Sequence, residues 1–280
     1  MCDQLDAAYR AIEFIEAHLR QDVAVGQIAE ASGYSLFHFI RTFNRVVHHT
    51  PYDYLMRRRL SEAARDLTNS GLRVIDIAQD YCFDNQESFS RAFKRMFGVQ
   101  PSQWREMGSD NPLVLLPPKT PADLRFVNRT DFQPPAVEEL AARTVCGLMT
   151  ALDGDPQTRI DQRRRLFADL RGCFSGRLPG VVLAVVTCLE GGDRTYCLLG
   201  VECGEAHLAS PALVRQTLPA GRYVKIEPVG GQRQPALNYL YGTWLPRMRL
   251  KPARRVEIEV FSYRNAALVS QAIHIPVQDR

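Results

Sequence analysis

Through the first hundred residues apolar side chains return every three or four positions; beyond about 136 they alternate or gather in short β-branched runs. A period near 3.6 predicts helices with one buried face, and a period of two predicts strands. In DAAYRAIEFIEAHL the set Ile12, Ile15 and Leu19 predicts a first helix. VGQIAEASGYSLFHFIRTF predicts a short helix with Ile28 and Ala29, a turn at Gly33, where positive φ suits glycine, and a second helix with Phe39, Ile40 and Phe43 inward. PYDYLMRRRLSEAARDLTNSG predicts a longer helix that Pro51 opens and Gly71 follows.

The pattern is then written a second time. Phe39, Arg41, Phe43, Arg45 and Pro51 meet Phe89, Arg91, Phe93, Arg95 and Pro101 at an offset of 50, and Ile28 and Ala29 meet Ile77 and Ala78 at 49. The second turn therefore carries one extra residue, and the duplicated unit is a whole helix-turn-helix. Such a unit lays its second helix in a DNA major groove. The helix between the copies, about 18 residues at ~1.5 Å each, is roughly 27 Å long. Readers held that far apart approach the ~34 Å repeat of one groove face, so the expected target is double-stranded DNA with two unlike half-sites one helical turn apart.

From about 108 to 136 the chain holds six of its 17 prolines, a density that predicts a linker without helix. Farther on, LAARTVCGLMT and LPAGRYVKIEPVGG share Leu, Arg and Val at an offset of 78 to 79. Each leads into a helix, TRIDQRRRLFADLRGCF with Ile160, Phe167, Leu170 and Phe174 on one face, and QPALNYLYGTWLP with Leu237, Leu240 and Trp244. Paired strands follow both, VVLAVVTCL with RTYCLLGVEC and RVEIEVFSY with ALVSQAIHIPV. Two pseudo-symmetric β-α-β-β repeats are expected, forming an α+β sandwich whose sheets meet in a groove.

With 280 residues, 45% hydrophobic and 24% charged, the composition is that of a globular chain long enough for two domains. No apolar run reaches membrane-span length, and MCDQLDAAYR is too charged for a signal peptide, so a cytoplasmic protein is expected, with no membrane partner. Seven cysteines without CxxC spacing or neighbouring histidines suggest idle thiols, with neither a disulfide framework nor a metal site, and no cofactor is expected. The net charge of +4 misleads, because residues 1–107 hold 13 Lys and Arg against 14 Asp and Glu. Charge there is patchy, with Arg41, Arg45, Arg57, Arg58 and Arg59 set against the single acid Asp53.

GYSLFHFIRTFNRVVHHTPYDYLMRRRL, followed by IAQDYCFDNQESFSRAFKRMFGVQPSQWR, resembles the paired helix-turn-helix domain of AraC/XylS-type transcription regulators, in the Rob-type arrangement where the DNA-binding part opens the chain. Three positions depart from the family pattern: Cys82 stands at the second turn in place of glycine, and the apolar Phe37 and Ile40 stand where the groove is faced. On the first reader the outward set is Phe37, His38, Arg41 and Arg45; on the second it is Gln86, Glu87, Ser90, Arg91 and Lys94. Arg41 suits guanine, Phe37 a thymine methyl, Gln86 adenine, Glu87 a cytosine amino group and Lys94 phosphate. Arg57, Arg58 and Arg59 read equally as DNA-backbone contacts or as a solvated run.

RTYCLLGVEC, LPAGRYVKIEPVGG, YGTWLP and VEIEVF resemble the GyrI-like effector-binding fold. The resemblance implies a groove acid at Glu259, with Glu257 its rival on the same strand face, and Tyr196, Tyr223, Tyr241 and Trp244 as lining aromatics. Such a groove would suit an apolar organic cation. The expected organisation is a double helix-turn-helix domain over 1–107, a Pro-rich linker over 108–124 and a GyrI-like domain over 125–280. The chain reads as a transcription regulator, an activator in keeping with its family, controlled by a small-molecule effector and not an enzyme. The alternatives are a C-terminal domain that binds a protein such as RNA polymerase, or one that hydrolyses reactive electrophiles with Glu259 as base. An alkylation-repair role lacks its activating cysteine motif.

Overall fold

The computed structural model describes residues 2–107, 115–173, 180–188, 194–202 and 213–279. Residues 108–114 of the Pro-rich stretch, Phe174 and Cys203 lie outside these. The chain packs as two compact units, one gathering the residues up to Phe132 with Gln234–Met248, the other Gln133–Arg233 with Arg249–Asp279. Among the described residues no helix is long and apolar enough to cross a membrane.

The first unit is helical: α1 (Cys2–Ala17), α2 (Val25–Ser32), α3 (Leu36–Val47), α4 (Pro51–Asn69), α5 (Val74–Asp80), α6 (Gln86–Phe97), α7 (Pro101–Met107) and α8 (Pro121–Val127). Local chemistry sets the boundaries. Gly33 closes α2 at φ 79, Thr50 Oγ1 accepts the Asp53 N–H ahead of Pro51, and Asn85 Oδ1 accepts the Ser88 N–H at 2.8 Å to open α6. Each repeat has its own core, Ile28, Ala29, Phe39 and Phe43 in the first and Ile77, Ala78, Phe89, Phe93 and Trp104 in the second. Ile40, expected inward, is 40% exposed.

Three expectations change here. Proline density does not exclude helix, because α8 starts with Pro121 at its first position, where the missing N–H is not needed, and Thr120 caps it. Leu115 and Leu116 are buried, and the Leu116 N–H donates to Ser61 Oγ at 3.0 Å, so this part of the stretch packs against α4. Arg58 and Arg59 are neither solvated nor available to DNA. Arg58 donates to Glu16 twice at 2.8 Å, to Glu62 at 2.7 Å and to the Leu116 carbonyl at 2.6 Å, while Arg59 donates to the carbonyls of Leu19 and Gln21. Both tie α4 to α1 and its trailing loop; Arg57 is held by Asp53 at 2.8 Å.

The helix expected inside the C-terminal domain also packs in the first unit. It runs as α10 (Arg233–Tyr239), a π-helical turn (Leu240–Trp244) and α11 (Leu245–Arg247). His49 is buried, with Nδ1 2.7 Å from Asp53 and Nε2 3.0 Å from Thr243 Oγ1. Burial, partly offset by Asp53, pushes its pKa down to about 4, so the ring is neutral at pH 7. Nδ1–H then donates to the Asp53 carboxylate, and Nε2 accepts the Thr243 hydroxyl. Lys119 Nζ donates to the same oxygen at 3.4 Å, and Asn238 Nδ2 donates to Asp123 at 2.9 Å.

The second unit is antiparallel: β1 (Ala136–Leu140), β2 (Arg143–Leu152), β3 (Val181–Cys188), β4 (Thr195–Glu202), β5 (Val214–Leu218), β6 (Gly221–Ile226), β7 (Leu250–Pro252), β8 (Val256–Arg264) and β9 (Ala267–Asp279), with α9 (Pro156–Cys173) after β2. The strands form one continuous sheet, ordered β1-β6-β9-β8-β3-β4-β2-β5, with β7 also paired to β9; the two sheets of the expected sandwich are not separate. One face carries Phe261, Ala184, Cys197 and Leu199 against Leu166 and Leu170 of α9; Ile160 of that helix is 45% exposed. The other face buries Val145, Leu198, Leu218, Tyr223 and Ile258 in one cluster, although Tyr223 belongs to the far end of the strand order from Val145 and Leu218. Only a curled sheet brings them together, as strand twist allows. Cys146, expected as an idle thiol, is disulfide-bonded.

Candidate nucleic-acid interface and sensor site

The two readers are matched in length and ending. α3 and α6 each span 12 residues at an offset of 50, and each closes on a left-handed residue, His48 at φ 62 and Gly98 at φ 81. Burial of Phe39 and Phe43, and of Phe89 and Phe93, fixes which side of each helix faces out. Outward on α3 stand Phe37, 80% exposed, with His38, Ile40, Arg41 and Arg45. His38 stacks edge-on against Tyr34, and Arg45 donates to Gln4 at 2.5 Å, which draws it toward α1. Outward on α6 stand Gln86, Glu87, Arg91 and Lys94, with Ser90 half-buried. Arg91 Nη1 donates to Glu87 at 2.9 Å, one helical turn away, and both side chains are largely exposed. Arg91, Lys94 and Glu87 join Arg95 and Gln100 around a shallow recess. The α3 surface is apolar and cationic, while that of α6 is polar and internally paired.

The turns differ as well. Cys82 adopts φ 61, the conformation Gly33 takes in the first copy at φ 79. A side chain held there costs roughly 1–2 kcal/mol, so the second turn is strained.

Glu259 lies on β8, 1% exposed, and two guanidinium groups and an amide hold its oxygens. Arg163 of α9 and Arg233 each donate to Oε1 at 2.8 Å, and Gln271 of β9 donates to Oε2 at 3.0 Å. Arg233 also pairs with Glu257. Burial alone would raise the Glu259 pKa, but Arg233 and Arg163 outweigh it and hold the group below its usual value, hence ionised. Strand alternation sends Glu257, Glu259 and Phe261 to the α9 face, whereas Tyr223 belongs to the cluster on the other face. Tyr196 adjoins Cys197, which faces α9, and so points away with Tyr223. Tyr241 and Trp244 are half-buried in the first unit. Tyr196 and Tyr223 therefore do not share the face of Glu257 and Glu259. Sequence reasoning missed Arg163, Arg233 and Gln271. Arg163 left a trace, since it falls in register with Phe167 and Leu170 on the inward face of α9.

A duplicated helix-turn-helix with two exposed reader helices defines a DNA-binding regulator of transcription. The matching family model is the "Helix-turn-helix domain", over residues 28–107. The chain is 41% identical over 107 residues to the HTH-type transcriptional activator AarP of Providencia stuartii, an alignment covering 38% of this chain and 79% of AarP. It is 34% identical over 116 residues to the transcriptional regulator Rob of Salmonella typhimurium, covering 41% of this chain and 40% of Rob, so the chain spans less than half of that relative. The solved structure of SAV2435 bound to tetraphenylphosphonium is 14% identical, with a TM-score of 0.42, covering 52% of this chain and 94% of that one. The chain belongs to the AraC-type helix-turn-helix family of transcription regulators.

Proposed function

We propose that this regulator reads an asymmetric DNA site of two half-sites one helical turn apart, α3 on one and α6 on the other, and that its β-rich unit is a small-molecule sensor acting in the cytoplasm. The observation that carries the DNA reading is the pair of matched but chemically unlike helix faces. Phe37 and Ile40 suit thymine methyls beside an Arg41–guanine contact, while Gln86 and Arg91 suit hydrogen-bonded bases. The α4 rod, 19 residues or about 28 Å, supports the one-turn spacing. Hydroxyl-radical footprinting on selected sites tests this. Two protected segments of different sequence about 10 base pairs apart are expected, and a perfect palindrome bound by one motif per half would overturn it.

We place the domain boundaries of this reading near 107 and 125, and the strand order supports the duplication. β2 with β3 and β4, and β6 with β8 and β9, form equivalent three-strand sets that meet at β3 and β8. For the sensor, a cationic effector at Glu259 would have to take the place of Arg233, the more exposed of its two guanidinium partners. Ligand must favour one state over the other to regulate, so effector affinity is to be measured on DNA-bound and free chains. Glu259→Gln should weaken a bound cation such as tetraphenylphosphonium and spare DNA affinity; unchanged cation affinity removes the acid from the site. Glu259 as a hydrolytic base fits poorly, because both oxygens already accept hydrogen bonds and its pKa is lowered.

A further inference from the structure

The sheet face opposite Glu259 holds a polar cluster with two groups left over. His274 of β9 is 7% exposed, and its Nδ1 is buried without a hydrogen-bond partner. Its Nε2 faces Glu138 Oε2 at 3.6 Å, too long for a hydrogen bond. Arg143 Nη2, on β2, is also buried and unpartnered, and among the described residues no carboxylate pairs with this guanidinium.

The registers show that these groups share one surface. His274 stands opposite Ile258 on β8 and Lys225 on β6, Tyr223 is two residues from Lys225 and opposite Glu138, and Arg143 is two residues from Val145. Directly paired residues, and residues two apart, point to the same face, here the one that buries Ile258, Tyr223 and Val145. In a flat sheet β9 and β2, four strand steps apart, would be separated by roughly 19 Å. The curl closes that gap, for Val145 and Leu218, the neighbours of Arg143, lie in one buried cluster with Ile258 and Tyr223, the neighbours of His274.

The neighbours are already committed. Lys225 Nζ pairs with Glu227 at 2.9 Å, and the Tyr223 hydroxyl donates to the Pro219 carbonyl at 2.8 Å. Burial first, then Arg143, pushes the His274 pKa down to about 4, so the ring is neutral at pH 7. The Glu138 carboxylate favours the proton on Nε2, which makes Nδ1 an acceptor. One buried face thus offers an unpaired guanidinium N–H and an unpaired imidazole lone pair. An unsatisfied buried group is destabilising, and more so when it is charged.

We propose that this concave face binds a small organic acid, its carboxylate against the Arg143 guanidinium and a hydroxyl on the adjacent carbon donating to His274 Nδ1. The ligand is opposite in charge to the cation considered at Glu259 and on the opposite face of the sheet. The site depends on neither the DNA reading nor Glu259. Arg143 as a whole is half-buried, so the carboxylate end of the site lies nearer to solvent than the buried His274 ring.

Sodium lactate is the probe, titrated into the full-length ¹⁵N-labelled chain, with lactamide and sodium chloride at matched ionic strength as controls. The His274 ring nitrogens, assigned through His274→Gln, are expected to shift saturably with lactate and with neither control. Arg143→Gln should weaken the titration by at least about tenfold, the weight of a charge-assisted hydrogen bond. Arg143→Lys keeps the charge, guards against misfolding, and should fall between. No shift with lactate, an equal shift with lactamide or chloride, or an unchanged midpoint in Arg143→Gln would overturn the proposal. DNA affinity measured on the same samples separates this failure from failure of the DNA reading.

Discussion

Replacing Arg58 with methionine keeps most of the stem volume and deletes the charge, so it isolates what the buried guanidinium does. Four donated hydrogen bonds disappear, two to Glu16, one to Glu62 and one to the Leu116 carbonyl. Breaking a buried ion pair by removing one partner costs about 3–5 kcal/mol when the survivor stays dry. Here Glu16 and Glu62 keep 20% and 24% of their side-chain exposure and can recover water, which lowers the expected loss to about 2–4 kcal/mol. Urea unfolding followed by tryptophan fluorescence suits the measurement, since Trp104 and Trp244 both lie in the first unit. The salt dependence of DNA binding supplies the contrast: a phosphate contact contributes a slope of about 0.9, and Arg58→Met should leave the slope unchanged. Wild-type stability together with a slope reduced by about one would refute the structural role and return Arg58 to the DNA backbone.

Arg91→Ala should cost ~1–3 kcal/mol on the second half-site and relax base preference there, as read by competition binding; equal weakening on every sequence would make it a phosphate contact. At the two turns opposite signs are expected. Gly33→Ala should lose about 1 kcal/mol of urea stability through φ 79 alone, because the added Cβ would meet only Arg10 Nη2 at 3.8 Å. Cys82→Gly removes the strain at φ 61, less the extra freedom of glycine in the unfolded chain, for a gain of about 0.5 kcal/mol; a clear loss would mean the turn is unstrained. For pH, the His49 pKa is lowered from 6.5 to about 4, so between those values the unfolded chain binds a proton that the native one refuses. Stability of the first unit should fall on acidification through that window, and His49→Gln should flatten the slope; an unaltered slope would show that His49 does not carry it.

Much of the first unit was legible because its determinants are local. The 3.6 period, Gly33, Pro51 and the repeated Phe positions set helix ends and inward faces within a few residues of themselves. The outward reader residues follow once Phe39 and Phe89 are inward. Ile40 shows the limit, since it adjoins Phe39 yet sits at the rim of the buried stripe. The arginine run at 57–59 shows another. Three identical letters carry no sign of which is buried; partners 42 residues away on α1 decide that for Arg58. In the second unit alternation paired Glu257 with Glu259, but it could not relate that strand's parity to those of Tyr196 and Tyr223.

By itself, the sequence determined the doubled helix-turn-helix, its one-residue asymmetry and the buried Phe positions that turn one side of each second helix outward, because short-range spacing and backbone preference are written residue by residue. Tertiary structure alone decided that two arginines neutralise Glu259, that the 234–248 helix packs with the helical unit, and that Arg143 and His274 share a buried face. Those outcomes depend on strand register and on desolvation between segments far apart in the chain, and neither leaves a local periodicity to read.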